Sequence, residues 1–175
     1  MRGAVLVAAA ITLAAGCSGR DRTDANDLPG DRDPVDAPDY VLAVAEAIEA
    51  VEDELGEGQR FFEVTANAQF TNVFVATDDG TTAVPYLFVD GELQPPAPAQ
   101  TGASGNTFGA DDVRFDPSLI LSGVSADLPD TSIDALSVYG DGVGAIYVLG
   151  ATSQVGGQLD IVVAPNGAIV SVDPL

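Results

Sequence analysis

The sequence predicts an α+β fold of two helix-plus-antiparallel-meander units, with the helices packed on one face of the sheet. Three observations predict it. Apolar residues recur at helical spacing after Asp39, short β-rich runs separated by turn dipeptides follow, and the order helix-then-strands occurs a second time after Asp116. The repeated order makes a duplication possible, with units at 39–98 and 113–175 joined by a linker at 99–112.

The first helix rests on Val41, Val44, Ala45, Ile48, Val51 and Leu55. They fall at three- and four-residue steps with Glu46, Glu49, Glu52 and Asp53 between them. Pro38 and Asp39 favour its start, because proline is tolerated in the first turn and an acid there complements the helix dipole. Gly56 and Gly58 end it. Glu54 and Glu57 lie at the unfavourable end of that dipole, and Arg60 is the nearest cation to offset them.

Strands follow at Phe61–Ala66, Phe70–Thr77 and Thr82–Val89, with a short one after Asp90-Gly91. Asp79-Gly80 and Asp90-Gly91 are hairpin signals, since both residue types accept the positive φ of tight turns. Pro95-Pro96-Ala97-Pro98 and the following Thr101–Asn106 read as a stiff and then a flexible linker. Asp116-Pro117 opens a second, shorter helix with Leu119, Ile120, Gly123 and Val124 as its apolar face, ending before Pro129. Strands are expected again at Ile133–Tyr139, Val143–Leu149, Gln158–Ala164 and Ala168–Val172. Gly140–Gly144 and Asn166-Gly167 serve as turns.

Several strands are apolar on both sides, including Val73-Phe74-Val75-Ala76, Tyr86-Leu87-Phe88-Val89 and Ile146-Tyr147-Val148-Leu149. Two helices can cover only one face. The favoured expectation is that the two halves close on each other and bury both. The alternative leaves the aromatic side, Tyr86 and Phe88, as an open face for a protein or peptide partner.

Upstream of the folded part, Arg2 precedes an uncharged, mostly apolar run from Gly3 to Gly16, too short to span a bilayer. Leu13-Ala14-Ala15-Gly16-Cys17 resembles the lipobox of bacterial lipoprotein precursors. That resemblance implies a signal peptide at 1–16, acylation of Cys17, and a membrane-anchored location in the cell envelope. Two or three acyl chains, at about 0.8 kcal/mol per buried methylene, suffice for stable anchoring. Residues 17–38 then form a lipidated, disordered tether: aspartate, arginine, glycine and proline dominate, and too little apolar surface is present to offset chain entropy.

The chain holds 27 acidic residues against six basic ones, all arginine, for a formal charge of −21. Such a surface excludes nucleic acid as a partner and opposes adhesion to anionic head groups. It suits a salt-adapted solvated exterior, or a site for cations or a basic partner. No histidine or lysine occurs, and Cys17 is the one cysteine. A serine triad, a cysteine protease, a Schiff base and a histidine zinc site are therefore excluded after acylation, and no catalytic residues, metal or cofactor are assigned. Gly140-Asp141-Gly142-Val143-Gly144 lies between strands with no lysine to reach phosphate, which makes it a turn.

Carboxylate pairs leave a glycan hydrolase as one alternative. Turn acids at Asp78-Asp79, Asp90-Glu92 and Asp111-Asp112 leave a calcium-dependent binding module as another. The mature part also resembles PepSY modules, small exported helix-plus-sheet domains. The resembling residues are Ala47-Ile48, Glu63-Val64, Asp90-Gly91-Glu92-Leu93 and Leu159 through Val170, with Asn166-Gly167 at their centre. The resemblance implies a non-catalytic binding or inhibitory role in the envelope.

Overall fold

The computed structural model describes residues 35–175. Helix α1 (Asp39–Leu55) buries Val41, Val44, Ala47, Ile48 and Val51 along one stripe. Ala47 takes the place expected of Ala45, which is exposed. Gly56 ends the helix at φ 93° and donates its N–H to the Glu52 carbonyl at 2.8 Å. The Glu52 carboxylate accepts the backbone N–H groups of Gly58 and Gln59 at 3.0 and 3.3 Å, which fixes the exit into the first strand.

The strands are β1 (Arg60–Asn67), β2 (Thr71–Thr77), β3 (Thr82–Val89), β4 (Glu92–Leu93), β5 (Gln100–Thr101) and β6 (Phe108–Gly109). After the six-residue helix α2 (Ser122–Asp127) come β7 (Thr131–Gly140), β8 (Ala145–Ser153), β9 (Gln158–Val163) and β10 (Ile169–Pro174). They form one antiparallel sheet in the order β10-β9-β8-β7-β1-β2-β3-β4, with β5 on β3 and β6 on β1. The β3–β4 turn is the expected two-residue Asp90-Gly91, at φ 51° and 80°. Residues 99–112, read as a linker, carry β5, β6 and a 3-10 turn at Ala110–Asp112. The chain just before them runs along the β3 edge, where Gln94 and Ala97 donate to the Leu87 and Pro85 carbonyls.

The expectation that the two halves close on each other is overturned. β1 pairs directly with β7, from Glu63 opposite Tyr139 to Asn67 opposite Ala135, and the two meanders become one continuous sheet with a single covered face. On that face lie Phe61, Val64, Val73, Val75, Leu136, Val138, Tyr147, Leu149 and Ile161, all buried. α1 covers the half around β1 and β2. Residues 113–128 cover the other half. Arg114 donates its N–H to the Tyr147 hydroxyl at 2.7 Å, Phe115 stacks edge-on against the Tyr147 ring at 5.3 Å, and Asp116 donates its N–H to the Pro165 carbonyl at 3.3 Å.

The second helix differs from expectation. Asp116 does cap a turn, its carboxylate accepting the Ser118 N–H and hydroxyl at 2.9 and 2.6 Å. Regular helix begins only at Ser122 and stops at Asp127, two residues before Pro129, which limits its extension. The strand order is symmetric about the β1–β7 seam, whereas one helix has 17 residues and the other six. One main helix on an antiparallel sheet is therefore the architecture, and division into two equal units is not shown.

Candidate functional site

Cys17, the expected lipidation site, lies outside the described residues. Within them, the feature with most chemical content is the sheet face opposite α1. The period-two alternation that buries Val64, Val73 and Val138 turns Glu63, Phe74 and Tyr139 the other way. Register aligns the residues of this face in rows. One row reads Pro85, Phe74, Glu63, Tyr139, Ile146, and the next reads Leu87, Asn72, Thr65, Ser137, Val148, Val162. Each of these residues is partly exposed. Phe74, Leu87, Ile146, Val148 and Val162 do not join the core or pack against it.

The face is polar at its centre and apolar on both wings. Over the β1–β7 seam, Thr65 donates its hydroxyl to Glu63 Oε1 at 2.5 Å, and the Thr65 and Ser137 hydroxyls lie 2.8 Å apart. The Tyr139 hydroxyl is pushed above its ordinary pKa, first by burial, with the Glu63 charge adding to the shift and hydrogen bonding to Ser137 opposing it. Asp134 extends the polar zone: its carboxylate accepts the Thr152 hydroxyl at 2.7 Å. Both arginines of the described residues are engaged elsewhere. Arg60 pairs with Asp112 at 3.5 Å and also bonds the Thr107 carbonyl, while Arg114 Nε donates to the Asp111 carbonyl at 2.7 Å.

One side of the sheet is open, and it is the opposite of the aromatic side named in the alternative expectation. Tyr86 and Phe88 are the covered side, 8% and 6% exposed, and Leu87 with Val89 belongs to the free one. Composition could not choose between two apolar sides. The missing information was where β1 meets β7, which no local pattern encodes.

The acidic turns serve backbone geometry. Asp78, Asp79 and Asp90 hold left-handed φ values of 51°, 54° and 51°. Asp112 accepts the Gly109 N–H at 2.8 Å. Among the described residues no group of three or more potential ligands converges on a metal position. A groove of about 370 Å³ runs beside the end of α1, lined by Ile48, Glu49, Glu52, Asp53, Ala110 and Val113. Asp116 and Asp141 are held below the usual carboxylate range, by hydrogen bonds from Ser118 and from the Val143 and Gly144 N–H groups respectively. A general acid needs the opposite shift. The Asp141 bonds, both 2.7 Å, also show that Gly140–Gly144 is a turn built on its aspartate.

Comparison with protein-family models and with curated proteins finds no match, so the likeness to PepSY modules gains no support. A solved structure does match: a protein named "putative lipoprotein" from Clostridium difficile 630. It aligns with TM-score 0.50 and 11% identity over 74% of this chain and 90% of the clostridial one. At that identity the likeness is one of fold.

Proposed function

We propose that this chain is an exported lipoprotein, acylated at Cys17, whose acidic domain is a non-catalytic binding module of the bacterial cell envelope. The open sheet face is its binding surface. The observation that carries the binding role is a helix-free face on which Phe74, Leu87, Ile146, Val148 and Val162 line up without joining the core. The location rests on the signal-like run ending at Cys17, and the fold likeness to the clostridial protein accords with it. The absence of histidine and lysine from the sequence supports a role without turnover.

Two measurements test the reading. Mass spectrometry of the membrane fraction should find a new amino terminus at Cys17 carrying acyl chains, and Cys17→Ser should release the protein from the membrane. A photo-crosslinking residue at Leu87 or Val148 should capture envelope protein, whereas the same residue at Leu42 on α1 should not. Unmodified full-length chain in the cytosol would overturn the location. Capture from Leu42 alone, or turnover of a cell-wall glycan, would overturn the binding role.

A further inference from the structure

The central row of the open face has a specific chemistry. Glu63 is flanked in register by Phe74 on β2 and Tyr139 on β7, each one strand away at about 4.8 Å, so a carboxylate stands between two aromatic rings. Among the described residues neither arginine pairs with Glu63. An ammonium or guanidinium placed over Glu63 would meet its charge with an aromatic side chain on either side, and the half-buried site strengthens the attraction. Beyond this row, Leu87 forms one apolar wing and Val148 with Val162 the other.

We propose, building on the binding role above, that this face takes a cationic amphipathic segment of a partner polypeptide. One arginine or lysine of that segment lies over Glu63 between Phe74 and Tyr139, and its apolar side chains cover Leu87 and Val148. Charge complementarity selects this occupant. At −21, a second copy of the chain is repelled, as are anionic lipid and nucleic acid, whereas a basic segment is attracted from a distance. Diffuse attraction alone would act over the whole surface. The aromatic-flanked carboxylate confines it to one place.

The test uses the full lipidated chain in neutral detergent micelles and a fluorescent leucine/arginine amphipathic peptide of roughly 18 residues, long enough as a helix to reach from Leu87 on β3 to Val162 on β9. Anisotropy is read at physiological salt. Glu63→Gln should weaken binding about tenfold and Phe74→Leu about threefold, the size of one desolvated cation contact. Glu49→Gln and Asp53→Asn on α1 should change it by less than about twofold, as should salt-screened surface charges generally. Replacing the peptide's arginines with citrulline should abolish binding. Indifference to Glu63→Gln, an equal loss from the α1 variants, or a homodimer that occupies the face would overturn the proposal. Envelope crosslinks from Leu87 that persist when the peptide ignores Glu63 would remove the cationic occupant and keep the binding surface. Loss of both would remove both.

Discussion

The backbone N–H of Arg114 donates to the hydroxyl of Tyr147 at 2.7 Å, joining the segment that covers the second half of the core to the middle of β8. Tyr147 is 1% exposed, and its ring also carries the edge contact with Phe115. Tyr147→Phe keeps the ring packing and leaves the Arg114 N–H without its acceptor. The expected loss is about 1–2 kcal/mol in urea-induced unfolding. A variant as stable as the parent would show that water replaces the hydroxyl.

Gly167 and Gly80 separate two costs that a glycine can hide. Both have positive φ, 78° and 79°, but a Cβ on Gly167 would collide with the Leu119 carbonyl, whereas one on Gly80 would meet nothing. Gly80→Ala should cost about 1 kcal/mol from backbone conformation alone. Gly167→Ala should cost more than about 2 kcal/mol, because the 113–128 segment must move off the sheet. Equal melting temperatures for the two variants would contradict the close approach.

Alkaline pH should unfold the protein through its tyrosines. Burial raises the pKa values of Tyr40, Tyr139 and Tyr147 above the ordinary value of 10.0, with charge from Asp134, Glu63 and Asp112 adding in turn. A raised folded pKa gives stability that is complete below the unfolded value and is lost as pH climbs through the folded one. Urea midpoints should therefore be flat from pH 7 to about 9 and fall above about 10. Tyr147→Phe should make the fall shallower. An identical slope in that variant would remove Tyr147 from the effect.

Salt should stabilise the domain. Carboxylates spread over the chain repel one another, and screening shortens the range of that repulsion to about 8 Å at physiological ionic strength. Melting temperature should rise with sodium chloride, and calcium at matched ionic strength should give the same rise. A calcium-specific increase would reveal a cation site that the turn acids do not display in this geometry.

Much of the scaffold was legible in the sequence for a physical reason: its signals are local. The α1 stripe, the Asp90-Gly91 hairpin and the bounds of β3 follow from periodicity and turn chemistry within a few residues. β5 and β6, two residues each, were missed because their pairing with β3 and β1 comes from tertiary contact. The second helix is shorter than its start signal at Asp116-Pro117 suggests, because residues 117–121 stay in turns and Pro129 limits the regular helix that follows. The open face was visible as two-sided apolar strands. Its membership was not, since the row through Pro85, Phe74, Glu63, Tyr139 and Ile146 draws residues from strands far apart in sequence.

Val35 enters the described structure by donating its N–H to the Ser118 carbonyl at 3.0 Å, in the layer that roofs the core. Val35 is thus held on the roofed side of the sheet, and the bare side with Glu63, Phe74 and Tyr139 lies across the core from it, so an alteration at the Val35–Ser118 contact disturbs the roof and spares the bare side.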